Sequence, residues 1–311
     1  MQISLIQVPY MMGDERCGSS RGPGRFLQAG ADQLLSSKGL QVSLESVDRG
    51  TPFRDSGSSS LAVCKGLASV VRRATARGQF PLILGGGCDL AKGILAGFDH
   101  SHCGVVWVDA HGDFNTPETT VTGYLPGMSL AIITGHCFAN YWAEIGDSSP
   151  IPETSILMLG VRELDPAERV RLTSSGINVV VWREGRPAKD VVSALQQLAK
   201  RVSEVYLHID MDSLDPEVAP GVVDACVTGG LSLAQLQDAI RATFAYLTVR
   251  AASLVVYNPE RDEDCRHRDK RCSNSPGSSG SVIRQLAEGS TAVSKWQLVF
   301  PHRRGRGKKT L

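Results

Sequence analysis

Short apolar runs rich in β-branched residues recur along the chain: "ISLIQV", "FPLILGG", "GVVWVDA", "SILMLGV", "INVVVW", "EVYLHID" and "AASLVVY". Each is apolar at nearly every position, the pattern of strands buried on both faces. Between them lie stretches with apolar residues at helical spacing. "SLAVCKGLASVVRRATARG" ends at Gly78, and "AKDVVSALQQLAKRV" repeats the pattern. "SLAQLQDAIRATFAYL" opens on a capping box, Ser232 with Gln235 three residues on. Strands alternating with helices predict a parallel sheet with helices on both faces, a three-layer α/β/α domain over residues 1–264. After Asp264 the composition changes. "CRHRDKRCSNSPGSSGS" is polar and the chain closes on "PHRRGRGKKTL". Residues 265–311 are expected to be a disordered polar and basic tail without a closing helix.

Composition narrows the function classes. The 311 residues are 42% hydrophobic and 21% charged, with a formal net charge of +1. That is an ordinary soluble balance, and no global field favours nucleic acid or acidic partners. No apolar run reaches the roughly 18 residues that a membrane span needs. The start, "MQISLIQVPYMMGDERC", lacks a basic leader region and reads as a first strand. Eight cysteines without CxxC pairing suggest free thiols in a reducing cytoplasm.

The chemistry gathers where strands end. "WVDAHGDFN" places Asp109, His111 and Asp113 at alternate positions, and "YLHIDMDSLDP" does the same with Asp210 and Asp212. Alternate residues of an extended chain face one side. A third strand, in "LILGGGCDLAKG", leads through a glycine turn to Cys88. A lone Asp at a strand end is usually a helix cap. Two such clusters and a thiol on separate strands are not explained as caps. Four gathered carboxylates would repel and raise one another's pKa values, and a pair of divalent cations resolves that repulsion.

The motifs Asp109-Ala110-His111-Gly112-Asp113 and Asp210-Met211-Asp212-Ser213-Leu214-Asp215-Pro216, with the glycine turn and Asn258-Pro259, resemble those of the ureohydrolase family of arginases and agmatinases. The resemblance covers about residues 1–264. It implies an arginase-like fold around a central, mostly parallel eight-stranded sheet. It also implies two Mn2+ per chain, with Asp109 and Asp210 bridging, Cys88 and Asp113 completing one ion, and His111 and Asp212 the other. Asp113 would orient the hydroxide that attacks the guanidine carbon. "DFNTPETTVTG" resembles the loop that holds the substrate α-carboxylate, which assigns Asn115 and Thr122 that role. "GVRELDPAE" resembles the α-amino loop, assigning Asp165 and Glu168, although Asp165 before Pro166 also reads as a plain N-cap. The implied substrate is an arginine-type amino acid, a small-molecule partner; homo-oligomerisation is left open.

Departures from the family pattern bear on the substrate. Cys88 stands where a His ligand is usual, so one thiolate and four carboxylates set five negative charges against four positive ones. Such a centre should activate water less readily. Pro126 occupies the place of a proton-shuttling His, and Val256 that of the Glu that pairs with the guanidinium, with Glu260 as a candidate substitute. An N-hydroxyguanidine is less basic and needs less of this help. The pattern most resembles the family branch that hydrolyses Nω-hydroxy-L-arginine in D-cycloserine biosynthesis, implying L-ornithine and hydroxyurea as products. Two alternatives remain: an arginase or other guanidino-acid hydrolase, and a catalytically dead binding protein. The four aspartates and His111 argue against the last. His208 shares the face of Asp210 and Asp212 one step further in and reads as a core or supporting His in preference to a seventh ligand. His100 and His102 read as solvent-facing, and Cys103, Cys137 and Cys226 as buried apolar positions.

Overall fold

The computed structural model describes residues 1–16, 18–48, 55–146, 149–219 and 227–261. The polar segment 265–311 and Cys226 therefore lie outside the described residues. The strands are β1 (Gln2–Val8), β2 (Gln41–Ser46), β3 (Phe80–Gly85), β4 (Cys103–Val108), β5 (Ile156–Leu159), β6 (Asn178–Val180), β7 (Trp182–Arg183), β8 (Arg186–Pro187), β9 (Glu204–Asp210) and β10 (Thr248–Val255). Eight form one sheet in the order β2-β1-β3-β10-β9-β4-β5-β6. Every neighbouring pair in it is parallel. β7 and β8 make a separate two-stranded hairpin.

The apolar-throughout strands sort their side chains between two cores. Val105 and Trp107 of β4 pack on one face, and Val106 and Val108 on the other. Helices cover both faces, so the three-layer reading holds. The helix Ser56–Ala76 starts where the Asp55 side chain accepts the Ser58 N–H at 2.7 Å. The capping box of Leu233–Tyr246 forms as the sequence suggests, with both reciprocal bonds between Ser232 and Gln235. One sheet strand lacks the sequence signal. β2 is an edge strand whose residues are exposed or half-buried, so it has no apolar run to announce it. "INVVVW" is not one strand either: it divides between β6 and the hairpin.

The parallel arrangement brings every carboxyl end to one edge of the sheet. β3, β10, β9 and β4 are consecutive there although they are far apart in sequence. Such an edge, where the strand order departs from the chain order, is where ligands bind in open α/β sheets. Among the described residues no helix is long and apolar enough to cross a membrane.

Candidate metal centre and active site

β3 delivers Cys88. After it the chain turns through Gly86, where a Cβ would lie 2.2 Å from the Tyr10 carbonyl oxygen, so only glycine permits this approach. Beneath the turn Asp89 and Lys92 are fully buried. The Ser60 hydroxyl donates to Asp89, Cys64 Sγ to the Asp89 carbonyl, and Lys92 Nζ lies 3.5 Å from Ser129 Oγ. This polar footing, which the sequence reading did not single out, ties the Cys88 turn to the helix Ser56–Ala76. Cys88 is 4% exposed and its Sγ lies 2.9 Å from Asp210 Oδ2. Burial, reinforced by Asp210, Asp113 and Asp109, pushes this thiol well up.

The two aspartate motifs share one local geometry, and it is not the alternation of a strand. β4 ends at Val108 and β9 at Asp210. Asp109 Oδ1 then accepts the His111 N–H at 2.7 Å, and Asp210 Oδ1 accepts the Asp212 N–H at 2.8 Å. Each motif is an Asp turn in which the carboxylate bonds the backbone two residues on. The turns interlock, because Asp212 Oδ1 accepts the Ala110 N–H at 3.2 Å. Asp109 Oδ2 also accepts from Trp107 Nε1 at 2.9 Å. His111 Nδ1 lies 3.0 Å from Asp212 Oδ2 and 3.4 Å from Asp109 Oδ1, while Nε2 is 3.4 Å from Glu163.

Two groups of donor atoms result, each within 4.8 Å: Cys88, Asp109, His208 and Asp210, and Asp109, His111 and Asp212. Asp109 belongs to both. Asp113 belongs to neither group. Its φ of +46° turns the chain out of the extended path after His111, so its carboxylate does not continue the row that strand alternation suggests. Asp113 is nevertheless buried, and its Oδ2 has no hydrogen-bond partner. His208 is fully buried with Nε2 likewise unpartnered.

The charges explain what these residues need. Burial, then Asp212, raises Asp109 to about 6. Burial, then neighbouring carboxylates, holds Asp113 and Asp210 well above the usual range. Burial alone would lower His111, but hydrogen bonds and charge from Asp109 and Asp212 raise it strongly. Burial would likewise raise Asp212, and His111 holds it down. Carboxylates crowded in a dry place take up protons when no cation is there, and a protonated imidazole supplies the positive charge. A buried thiol, carboxylates, an imidazole beside two of them and two orphaned polar atoms fit a divalent-metal centre, with Asp109 placed to serve both ions.

The two loops expected to hold the substrate meet beside this centre. Asn115 Nδ2 donates to Asp165 Oδ2 at 3.0 Å, and Asn115 Oδ1 accepts from Thr119 Oγ1 at 3.0 Å. Glu168, buried, accepts the Phe114 N–H at 2.9 Å and the Asp165 N–H at 3.3 Å. Asp165 and Glu168 thus cap the helix Pro166–Ser174 and also bridge to the Asn115 loop. Thr122 is exposed, and its Oγ1 accepts from the Tyr124 N–H at 3.2 Å. Val256 is buried with φ +63° and offers no polar group. Glu260 does not replace it: its half-exposed carboxylate pairs with Arg21. Pro126 is buried in the turn Leu125–Met128.

Other readings change. His100 is not solvent-facing: it is 7% exposed, stacked on Trp142, with Nε2 3.1 Å from the Ser149 carbonyl. His102 is exposed, Cys103 buried and Cys137 half-buried. Arg162, which no motif flagged, donates to the carbonyls of Asp212 (2.7 Å), Ser213 (3.1 Å), Leu214 (3.2 Å) and Val227 (2.9 Å). It pins the Asp210–Asp212 turn, helped by Asp215, which accepts from the Gly229 and Gly230 N–H groups.

The chain compares with known proteins over most of its length. A family model described as Arginase family matches residues 1–289. The arginase of Bacillus caldovelox is 32% identical over 302 residues, covering 90% of this chain and 97% of that protein. The arginase of Bacillus subtilis is 30% identical, with 86% and 93% covered. The native crystal structure of the Bacillus caldovelox enzyme superposes with a TM-score of 0.79 at 29% identity, over 97% of this chain and 99% of that one. Fold, site and comparisons agree: the chain belongs to the arginase family and is a hydrolase of the class that cleaves guanidino groups.

Proposed function

We propose that the chain hydrolyses the guanidino group of Nω-hydroxy-L-arginine, giving L-ornithine and hydroxyurea. The observation that carries this reading is Cys88, a thiol buried against Asp210 at the centre of the donor cluster. An anionic sulfur there leaves less electrophilic power, and Val256 gives a guanidinium no counter-charge. Both suit a substrate that is less basic than arginine.

On this reading Cys88, Asp109, His111, Asp113, Asp210 and Asp212 hold two divalent ions, manganese being the proposed metal. When bound, such a pair lowers the pKa of water and polarises the guanidine carbon. The chain's own residues do the rest. Asp113, with its free Oδ2 in a dry setting, orients the attacking water and takes its proton. The Asn115–Asp165 pair, steadied by Glu168, grips the amino-acid head together with Thr122 and fixes the distance to the guanidine carbon. Water adds to that carbon, the bond to the ornithine nitrogen breaks, and the amine leaves with a proton. A catalytic unit of residues 1–264, a cytoplasmic location and no nucleic-acid or membrane partner go with this reading.

A second reading is hydrolysis of L-arginine to ornithine and urea, favoured by the relatives, which are named arginases. Turnover of both substrates on manganese-loaded protein decides. The first reading expects a higher kcat/KM for hydroxyarginine, and an equal or higher value for arginine would overturn it.

A further inference from the structure

We propose that His208 is a metal ligand of this centre, its Nε2 supplying on the Cys88 side the imidazole that Cys88 does not. The inference rests on the metal reading above and adds a donor to it. His208 and Asp210 lie two residues apart on β9 and share a face. His208 pairs in register with Trp107 of β4 and Ser253 of β10, so three strands set its position. Its ring stacks on the Trp107 indole at 3.6 Å between centroids, 13° from parallel.

The two ring nitrogens are treated very differently. Nδ1 has two hydroxyl partners, Tyr206 Oη at 2.9 Å and Ser253 Oγ at 3.1 Å. Nε2 has none and is buried. A histidine that serves only packing would be expected to satisfy both, and Nε2 is left without a hydrogen bond in a pocket that also holds Cys88, Asp109 and Asp210. With Nδ1–H donating to a hydroxyl, Nε2 carries a lone pair, the tautomer a metal-ligating imidazole adopts when a second group fixes its other nitrogen. A ring nitrogen of His208 lies within 4.8 Å of donor atoms on Cys88, Asp109 and Asp210. Two ligands at about 2.1 and 2.3 Å from one ion are at most about 4.4 Å apart. The group therefore closes on one ion with small side-chain shifts. The centre would then hold two imidazoles, His111 on one ion and His208 on the other, with thiolate and imidazole together on the Cys88 side.

X-ray absorption on manganese-loaded protein counts imidazoles directly. Metal content is measured first on the same samples. Wild type is expected to bind two ions and to show two imidazoles per pair, falling to one in His208→Gln and to one in His111→Gln. His208→Gln should also lower the affinity for one of the two ions by at least about tenfold. Two bound ions with a single imidazole in wild type would overturn the assignment of His208 and leave the metal reading standing. A His208→Gln spectrum identical to wild type would do the same. Failure of wild type to bind metal would sink both. The wild-type count decides even if His208→Gln does not fold.

Discussion

At the scale of the residue, Cys88 separates this chain from the family pattern, and it is the position where a single change is most informative. Cys88→His removes one negative charge from a buried donor set. Water at the centre should become more acidic, and one pKa unit is a factor of ten. The expected outcome is a protein that keeps two metals and whose ratio of arginine to hydroxyarginine kcat/KM rises on the order of tenfold. It should not reach a full arginase, because Pro126 and Val256 still give no shuttle and no counter-charge. An unmoved ratio would mean that Cys88 does not set substrate choice. On the proposed reading, Asn115→Ala acts at the other end of the substrate. Losing a hydrogen bond to a charged head costs about 1.5–3 kcal/mol, so KM should rise roughly tenfold or more with kcat changed less. A collapse of kcat at constant KM would reassign the loop. The motif residues were legible in the sequence because aspartate and histidine at fixed spacing serve few other purposes. For His208 the sequence put a supporting or core role ahead of a ligand, since a lone histidine on an apolar strand is ordinarily core, and the unpaired Nε2 is what the structure adds.

At the scale of the element, the apolar runs announced the central strands, while exposed β2 and the split of "INVVVW" were hidden by their position at edges and in a hairpin. Alternation picked out residues that do come together, for a partly wrong reason. Asp109 and His111 converge through one Asp turn, and Asp210 and Asp212 through another, whereas Asp113, with φ +46°, leaves the row. Turn geometry of this kind depends on what holds the loop. For β9 that support is Arg162, whose guanidinium comes from a segment about fifty residues away and bonds only carbonyls. Hydrogen bonds to carbonyls have no sequence signature, which is why Arg162 went unseen. Arg162→Met keeps the length of the stem and leaves those carbonyls unpaired. We expect a loss of about 2–4 kcal/mol of stability and at least a tenfold weaker hold on metal. Thermal melting and metal titration measure the two. A variant with unchanged metal affinity would show that the Asp210–Asp212 turn holds itself.

At the scale of the whole molecule, the metal centre should make the stabilities of the metal-free and metal-loaded protein draw apart as pH rises. Asp109 is raised from 3.8 to about 6 in the folded chain. A carboxylate with a raised folded pKa stabilises the fold at low pH and loses that contribution as pH climbs from about 4 through 6. Asp113 and Asp210 are shifted the same way, through windows reaching further up. His111, raised, adds stability that is complete below 6.5 and declines as pH rises above it. Asp212 is lowered and its contribution is already present above 3.8, so it does not reverse the trend. The protein stripped of metal should therefore melt at progressively lower temperature from pH 5 to pH 8. About half of the Asp109 effect is already lost below pH 5, so its share of this fall is on the order of 1.5 kcal/mol, or roughly 3–6 °C for a domain of this size. Divalent ions compete with the same protons, so their stabilisation grows over that range. Calorimetry with chelator and with excess Mn2+ should give two melting curves that diverge as pH rises, and Asp109→Asn should flatten the metal-free one. A metal-free curve that is level or rising between pH 5 and 8 would mean that the carboxylates at the sheet edge are not crowded as the site geometry requires.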